Sequence, residues 1–521
     1  MIMRSSKHGH QKNLTKVAVR PPKSASIRLI RVIRVAIIPT RGVAELIPKA
    51  FNCSHEIAVY VIISPVRVRA VRSHAAIAYK SIYMFDKTPL QLNDDFKFAL
   101  DALEKTGRNM FITGKAGTGK STLLQLFRNT TRKKVAVLAP TGVAALNVQG
   151  QTLHSFFGFP PRIITPSEAG RRVTRKDLLR LYRNLEVLVI DEISMVRADM
   201  LDGVDKFLRV NRENFQPFGG VQVVFFGDLF QLPPVVTRDP VESSYFNDYY
   251  DSPYFFSAKI LQDSDFELDM LELRKVYRQE SRHFLRLLEA VRVNELDYDD
   301  LEDLNERHQP HFRETDGYIT LCARNMTADR INQRELSLLE TPEMEFMADI
   351  KGQFDPGLYP TDAALRLKKG AQVMFVRNDI EEKRFVNGTI GKIVQLAKDT
   401  ITVESESFGG KTSRIEVPKI EWEIIRYQAN ATGAIETEVI GSFTQYPLKL
   451  AWAITIHKSQ GKTFDKVLID LGGGAFEHGQ LYVALSRCRT LEGIVLRQPI
   501  KSQDVITDDR VVAFYEERFR Q

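Results

Sequence analysis

Apolar runs of four or five residues alternate with amphipathic segments along most of the chain. The runs at residues 109–113, 135–139, 187–190 and 222–226 are almost continuously apolar, which is typical of parallel strands buried on both faces. Residues 97–105 show the spacing of a helix. We therefore predict a doubly wound α/β sheet that binds its ligand at the carboxyl ends of its strands.

A second α/β pattern begins near Phe266. It includes predicted strands at residues 318–322 and 467–470 and a predicted helix at residues 328–339. Between residues 377 and 446 the apolar pieces are short and separated by glycine and polar turns, which favours a small β-barrel-like insert. Helix–strand alternation then returns, so the insert interrupts the second α/β unit.

The overall composition adds little to this picture, but the distribution of charge along the chain changes it. The chain has 521 residues, of which 43% are hydrophobic and 26% are charged, and a chain of this kind folds as two to four globular domains. Its formal net charge is +8, but residues 1–84 alone carry +13, so the rest of the chain carries −5. Any nucleic-acid surface on this acidic body would be a local groove.

Residues 1–84 are rich in arginine, valine and isoleucine and contain two acidic residues. This composition fits a basic arm that touches nucleic acid, an organelle presequence, or upstream sequence that is foreign to the native protein. We favour the third interpretation, with Met84 as the native start, because the composition changes abruptly there. A mass of the natural protein that matches all 521 residues would contradict it.

Cysteine and histidine usage predicts no zinc site. The three cysteines, Cys53, Cys322 and Cys488, lack metal-ligand spacing and suit buried thiols in a reducing compartment. No apolar run approaches the ~20 residues of a membrane span. We expect a cytoplasmic location, or a nuclear or mitochondrial one in a eukaryote, without membrane attachment.

Residues 114–121 read GKAGTGKS and match the phosphate-binding loop G-x-x-x-x-G-K-[ST] between a predicted strand and a predicted helix. Glycines allow backbone N–H groups to face a phosphate, and the helix N-terminus adds positive potential. We assign Lys120 to the β- and γ-phosphates of ATP and the Ser121 hydroxyl to Mg²⁺. The predicted nucleotide-binding residues of this P-loop are Gly114, Gly117, Thr118, Gly119, Lys120, Ser121 and Thr122.

Two further strands deliver polar side chains to the same predicted edge. Asp191 and Glu192 follow one buried run, and Gln231 follows another. Asp191 suits Mg²⁺, and Glu192 suits removal of a proton from the attacking water. Gln231 suits contact with the γ-phosphate or orientation of that water. A solvated acidic pair and a simple turn are the alternatives.

Arg278 and Arg487 are candidates for stabilising the transferring phosphate, because phosphoryl transfer depends mostly on electrostatics that the protein supplies. Both fall in the second α/β unit, so ATP would lie in a cleft between the units. A single arginine is more often a surface residue, so this assignment depends on the wider set of motifs. The predicted catalytic residues are Lys120, Glu192, Gln231, Arg278 and Arg487.

The ordered segments GKAGTGKS, APTGVAALNVQGQTLHSFF, VIDEISMV, GDLFQLPPV, VYRQ, AITIHKSQGKTFDKV and LYVALSRCR resemble the superfamily 1 5′-to-3′ DNA helicases of the PIF (petite integration frequency) and RecD-like family. The resemblance implies two RecA-like P-loop domains, with ATP and Mg²⁺ between them and single-stranded DNA across their top. The implied divisions are a first domain at residues 85–265, a second at residues 266–376 and 447–521, an SH3-like insert at residues 377–446 and a wedge insert at about residues 158–180.

The resemblance also implies which residues contact DNA. They are Thr141, Gly142, His154, Phe156, Thr455, His457 and Lys458. Small and hydroxyl side chains allow close approach to phosphates, and histidine and phenylalanine can stack on bases, although core packing is the alternative for Phe156. Gln460 and Gly461 are implied to couple the DNA site to the ATP site, with Gly461 at the nucleotide.

One departure from the family concerns the nucleobase. Members of this superfamily often carry a glutamine upstream of the P-loop that reads adenine, whereas Phe96 stands near that position here and Gln91 is displaced. Adenine specificity is therefore open, and other nucleotides are candidate substrates.

Together these features predict an ATP-dependent DNA helicase that moves 5′ to 3′ along single strands and unwinds duplexes in genome maintenance, with G-quadruplexes and RNA–DNA hybrids as further candidate substrates. We expect a monomer that binds single-stranded and forked DNA. A RecD-like subunit of a recombination complex and a nucleotide-switched nucleic-acid-binding protein are the alternatives. Glu192, Gln231 and the two arginines argue against a switch, which needs less hydrolytic machinery.

Overall fold

The computed structural model describes residues 92–236, 240–312, 317–379, 382, 384–406, 412–430 and 432–519. The predictions made for residues 1–84, including Cys53, and for Gln91 lie outside these ranges. Within them, no helix is both long enough and apolar enough to cross a membrane.

The first sheet has six parallel strands in the order β3-β2-β4-β5-β1-β6. Its central strands are buried almost throughout, which is the reason that they are near-continuous apolar runs. The four strands predicted from those runs are confirmed. The elements of this part are α1 (Asp94–Lys105), β1 (Asn109–Gly114), α2 (Lys120–Thr130), β2 (Val135–Ala139), α3 (Gly142–Asn147), β3 (Gln151–Thr152), α4 (Leu153–Phe157), α5 (Pro166–Ala169), α6 (Lys176–Asn184), β4 (Val187–Ile190), α7 (Ala198–Arg212), β5 (Gln222–Phe226), α8 (Pro240–Tyr249) and β6 (Leu268–Leu273).

The predicted boundary between residues 265 and 266 is wrong. Strand β6 lies beyond it but pairs in parallel with β1 along six residues, from Asn109–Leu268 to Gly114–Leu273. Its residues are mostly half-buried because β6 is the edge strand of the sheet, so the continuous apolar run that identified its neighbours is missing. The first α/β unit therefore extends to the end of β6.

The predicted wedge insert at residues 158–180 contains α5 and the start of α6. Both helices contact α7, so this segment is attached to the first unit. Thr165 and Glu168 close a capping box around α5, which stabilises this short helix at its N-terminus. The action of this segment as a wedge stays a prediction.

After β6 the chain enters the second α/β unit. Helix α9 begins after Ser281, whose side chain caps it by accepting from Phe284 N. The predicted strand and helix near residues 320 and 330 are both present. The elements here are α9 (Arg282–Val293), α10 (Tyr298–Asn305), β7 (Ile319–Cys322) and α11 (Asn325–Leu338).

The β-rich insert is present but larger than predicted. Residues 343–450 form a two-stranded pair, β8 with β10, a five-stranded sheet in the order β14-β13-β12-β11-β17, and a three-stranded sheet in the order β15-β16-β9. The boundaries predicted after residues 376 and 446 are corrected, because β11 and β17 pair with each other inside the five-stranded sheet. The strands are β8 (Glu343–Met347), β9 (Asp349–Gly352), β10 (Ala364–Lys368), β11 (Gln372–Phe375), β12 (Ile390–Ala397), β13 (Thr400–Glu406), β14 (Thr412–Glu416), β15 (Ile420–Ala429), β16 (Ile435–Gln445) and β17 (Leu448–Leu450).

The last part of the chain completes a second parallel sheet in the order β18-β7-β19-β20. Strand β7 precedes the insert and the other three strands follow it, so the insert interrupts this unit as predicted. The remaining elements are β18 (Ala453–Thr455), α12 (Ile456–Ser459), β19 (Val467–Asp470), α13 (Gln480–Leu485), β20 (Ile494–Leu496) and α14 (Asp509–Phe519).

The hairpin β15–β16 reaches back to the first unit. The Tyr427 ring packs edge-on against Phe156 at a centroid distance of 5.8 Å, and its hydroxyl accepts from Val137 N at 3.1 Å. Tyr427 N donates to Gln151 Oε1 at 3.4 Å. The insert thus covers the β2–β3 edge of the first sheet.

Candidate nucleotide and DNA sites

The P-loop joins β1 to α2 at the carboxyl edge of the first sheet. Gly117 and Gly119 have φ of +82° and +87°, a region that glycine adopts without strain. A Cβ on Gly117 would lie 2.5 Å from Arg278 Cβ, and one on Gly119 would lie 2.9 Å from Phe96 Cζ. Both glycines are therefore required by backbone conformation and by close packing.

Lys120 lies across the inside of this loop. Its ammonium donates to the carbonyl oxygens of Gly114 at 2.5 Å and Lys115 at 3.1 Å. Burial lowers its pKa, although the nearby carboxylates of Asp228 and Glu192 oppose the shift. An ammonium, a helix N-terminus and glycine-rich backbone amides together form a phosphate site.

Asp191 and Glu192 follow β4 at the same edge. Burial, and then the Glu192 charge, raise the pKa of Asp191 to about 7, and burial also raises the pKa of Glu192. Glu192 has a φ of +50°, a conformation that is uncommon outside glycine and often found at functional sites. These two adjacent carboxylates follow β4, and Ser121 lies at the start of α2, after β1 of the same sheet; the three side chains offer oxygen ligands of the kind that a divalent cation prefers, and its charge would stabilise both ionised carboxylates.

Gln460 connects the two units at this point. Its amide nitrogen donates to Glu192 Oε2 at 3.1 Å and to Gln231 Oε1 at 3.3 Å. The predicted catalytic residues Glu192 and Gln231 are therefore within one side chain of each other. Since Gln460 follows α12 in the second unit, the contact supports its implied role in coupling the sites.

Arg487 is buried at the end of α13, with 1% of its surface exposed. Its guanidinium donates to the carbonyl of Val483 at 2.9 Å and to the Ser486 hydroxyl at 2.7 Å. Burial lowers its pKa to about 10. The remaining partners of its guanidinium are the carbonyl oxygens of Ser459 and Lys462, both at 3.5 Å, so an anion in the cleft would add to neutral partners.

Arg278 lies elsewhere than predicted. It follows β6 in the first sheet, and Tyr277 N beside it donates to Gly117 O of the P-loop at 2.9 Å. The Arg278 guanidinium donates to Ser486 O at 3.0 Å. Burial and the charge of Arg487 lower the pKa of Arg278 to about 9. Arg278 therefore lies beside the P-loop, on the segment that connects the two units. Its positive charge is close to that of Arg487.

The sequence motifs did not predict a role for three buried residues at this site, Asp228, Arg292 and Tyr482. Asp228 stands within the GDLFQLPPV segment, and Tyr482 lies five residues before Arg487. Both were therefore within recognised motifs without being assigned a role. Arg292 gave no signal, because an arginine on an amphipathic helix is normally solvent-exposed.

Of the predicted DNA contacts in the first unit, three keep accessible surface or lie against the insert, and the fourth, Phe156, is buried. Thr141 is exposed and caps α3 by accepting from Ala144 N at 3.3 Å, and Gly142 lies against the Leu358 side chain of the insert. His154 is partly buried, and burial lowers its pKa. Thr141 and His154 thus keep accessible surface just after the carboxyl ends of β2 and β3.

The prediction that Phe156 stacks on a DNA base is wrong. This residue is 5% exposed, and its ring contacts Phe157, Tyr182 and Tyr427 at centroid distances of 4.9, 5.5 and 5.8 Å. All three contacts are edge-on, so the aromatic cluster encloses the ring. Phe156 is a core residue, because the packing leaves no open face for a base.

In the second unit, one predicted DNA contact is buried and the others keep accessible surface. Thr455 is 3% exposed, and its hydroxyl caps α12 by accepting from Lys458 N at 3.4 Å, so a direct phosphate contact is not supported. His457 Nε2 lies 3.0 Å from Glu477 Oε2, and Lys458 is exposed. Gly461 is also exposed, with no neighbour within 4 Å of a built Cβ.

Phe96 is placed at the P-loop as its alignment suggested. It is 4% exposed in α1, and its ring lies against Gly119, where the Tyr277 ring is also within 3.8 Å of a built Cβ. A phenylalanine ring has no hydrogen-bond group for a base edge. The side chain at this position therefore contributes packing to the P-loop and no polar recognition.

Comparison with known proteins agrees with these features. A family model described as PIF1-like helicase matches residues 91–300, and one described as the DNA helicase Pif1 2B domain matches residues 358–396. The ATP-dependent DNA helicase Pif1 of Bdellovibrio bacteriovorus is 33% identical over 82% of this chain and 92% of its own length. PIF1 of Danio rerio is 35% identical over 75% of this chain, which spans 58% of that relative.

Solved structures match as well. The crystal structure of Bacteroides sp. Pif1 in complex with ADP-AlF4 aligns with a TM-score of 0.75 at 39% identity, over 82% of this chain and 98% of that one. The same protein bound to single-stranded DNA aligns with a TM-score of 0.59 over 82% and 97%. The chain belongs to the PIF1-like helicase family.

Proposed function

We propose that this chain is an ATP-dependent DNA helicase that moves 5′ to 3′ along single-stranded DNA and unwinds duplexes. The observation that carries the proposal is the convergence of two units on one phosphate site. The first unit provides Lys120 and Glu192, the second provides Arg487, and Gln460 hydrogen-bonds Glu192 between them. Nucleotide at this place would contact both units, so its hydrolysis can change their relative position.

Each of these residues has a distinct role in the proposed hydrolysis of ATP. Lys120 and the P-loop amides bind the phosphates, and Ser121 and Asp191 would hold Mg²⁺, which supplies charge neutralisation when bound. Glu192 accepts a proton from the attacking water, whose approach Gln231 orients. Arg278 and Arg487 stabilise the charge that develops on the γ-phosphate.

The proposed DNA path follows the segments after β2 and β3 in the first unit and α12 in the second. Thr141 and His154 of the first unit and His457 and Lys458 of the second have accessible surface, and they would supply hydroxyl, imidazole and ammonium groups to a phosphodiester backbone. The relative from Bacteroides binds single-stranded DNA, which supports the same substrate here.

Unwinding of tailed duplexes tests the proposal. We expect ATP-dependent separation of a duplex with a 5′ single-stranded tail and none with a 3′ tail of equal length. Lys120→Ala protein and ATP omission serve as controls. Activity restricted to the 3′ tail would overturn the polarity, and DNA-stimulated hydrolysis without strand separation would instead support a nucleotide-switched binding protein.

A further inference from the structure

A buried ion pair lies directly beside the proposed ATP site. Arg292 of α9 and Asp228, two residues after β5, are 1% and 0% exposed in their side chains, and their closest atoms are 3.4 Å apart. The Arg292 guanidinium also lies 4.1 Å from the centre of the Phe230 ring and 5.2 Å from that of Tyr515. A buried ion pair seldom adds stability over apolar residues of similar volume, so its presence calls for a role besides packing.

The Tyr482 hydroxyl joins this ion pair to the P-loop. It accepts a hydrogen bond from Ala116 N at 2.9 Å and donates one to Asp228 Oδ2 at 3.3 Å. The directions are determined by chemistry, because a backbone N–H only donates and a carboxylate only accepts. Tyr482 is on α13 of the second unit, so the bond to Ala116 crosses between the units.

The same carboxylate sets the orientation of Gln231. The Gln231 amide nitrogen donates to Asp228 Oδ2 at 3.2 Å, and its carbonyl oxygen therefore points the other way, where it accepts from Gln460. If the amide were reversed, two oxygens would face each other at Asp228 and two nitrogens at Gln460. Asp228 thus leaves the Gln231 oxygen as an acceptor on the side of Glu192.

We propose that Arg292, Asp228 and Tyr482 are positioning residues for ATP hydrolysis. Arg292 holds Asp228 in place and charged, and Asp228 orients the Gln231 amide so that its oxygen can accept from the attacking water. Tyr482 ties this carboxylate to the P-loop at Ala116, so the orientation of Gln231 depends on the second unit lying against the loop. The inference rests on the proposed hydrolysis of ATP at this cleft.

The first test removes both charges together. The double variant Arg292→Met/Asp228→Asn replaces the ion pair by neutral groups of similar size, which avoids a lone buried charge. We expect a thermal midpoint within a few degrees of the parent, a KM for ATP within about threefold and a DNA-stimulated kcat lower by roughly 100-fold, the scale of losing oriented groups at a reaction centre. Arg282→Met, an exposed arginine on the same helix, is the matched control and should leave kcat unchanged.

The second test removes one hydroxyl. Tyr482→Phe keeps the ring but loses both hydrogen bonds, and we expect kcat to fall about tenfold while the KM for ATP changes little. Tyr254→Phe is the matched control, because that buried hydroxyl also bonds a carboxylate, Asp508, at 3.2 Å. Its loss should leave kcat within about twofold of the parent.

The outcomes separate positioning from packing. A folded double variant with parental kcat would overturn the proposal, and so would a folded Tyr482→Phe protein with parental kcat. If the double variant does not fold, Tyr482→Phe decides alone. If Lys120→Ala protein still hydrolyses ATP at the parental rate, the proposed function has failed, and this result is distinct from either of the others.

Discussion

The nucleotide cleft and the proposed DNA path differ in how their residues are held. At the cleft, Asp191, Glu192 and Gln231 each follow a buried strand, and Gln460 joins Glu192 to Gln231 in one hydrogen-bond network. Along the DNA path the predicted side chains are scattered over short helices, and two of them are buried. Parallel strands bring distant residues to one edge, whereas a helix of four or five residues imposes no such order.

The largest expected effect of a substitution is at the P-loop, on the nucleotide-cleft side of this comparison. Lys120→Ala removes the ammonium that lies across the loop, and we expect DNA-stimulated ATP hydrolysis and unwinding to fall by at least about 1000-fold. Binding of single-stranded DNA should persist, because the DNA path does not include this residue. Measured hydrolysis and DNA affinity check both statements, and unwinding by this variant would refute the assignment of the cleft.

The arginine from the second unit has the next effect. Arg487→Lys keeps a cation but loses the planar fork that bonds several oxygens at once, and we expect kcat to fall by roughly 100-fold with the KM for ATP changed much less. Because Arg487 is fully buried, the thermal midpoint must be measured in parallel. A folded variant with near-parental kcat would place the phosphate contact elsewhere.

The strands around the cleft could be predicted because burial on both faces leaves a continuous apolar run, and the polar residue that ends such a run is then easily recognised. Strand β6 escaped this logic, because it is half-buried at the sheet edge. As a result Arg278 was assigned to the wrong unit. Arg292 could not be predicted at all, since its burial depends on Asp228 and on rings that are distant in sequence.

The DNA path was predicted less well for a related reason. A phenylalanine that stacks on a base and one that fills a core have the same local sequence, and only packing separates them. Tyr427, which lies in the insert 271 residues after Phe156, supplies one side of its enclosure. Thr455 is similar, because capping and phosphate contact both use a hydroxyl at a helix start.

Phe156 offers a direct way to sharpen the contrast. Phe156→Ala should reduce the free energy of unfolding by about 3–5 kcal/mol, because it empties a packed aromatic cluster. Phe156→Leu should cost less than about 1.5 kcal/mol and leave the Kd for single-stranded DNA within about threefold. A stacking role would instead weaken binding by about 1–3 kcal/mol per base in the leucine variant, which denaturation and titration together would detect.

Substitution of Lys458 should weaken DNA binding without lowering stability, the reverse of the result expected for Phe156. Lys458 is exposed, so Lys458→Ala is expected to leave stability within about 0.5 kcal/mol. Loss of one phosphate contact should weaken single-strand binding severalfold and reduce the slope of log Kd against log salt by about 0.7. Lys105→Ala, an exposed lysine of α1, is the control, and an unchanged salt slope in the Lys458 variant would remove it from the DNA path.

The smallest effect is expected at the nucleobase, because Phe96 brings no polar group to the position near which this superfamily often carries a glutamine. Phe96 packs its ring over Gly119, and an apolar contact distinguishes ligands by about 10–200-fold at most, whereas a site that hydrogen-bonds its ligand reaches about 10⁴. We therefore expect kcat/KM for GTP within about tenfold of that for ATP, and a severalfold gain in preference for ATP in Phe96→Gln. A parental preference above about 100-fold would show that another group reads adenine. In that case the glutamine variant should lose activity with both nucleotides equally, because the ring would then serve only to support the loop.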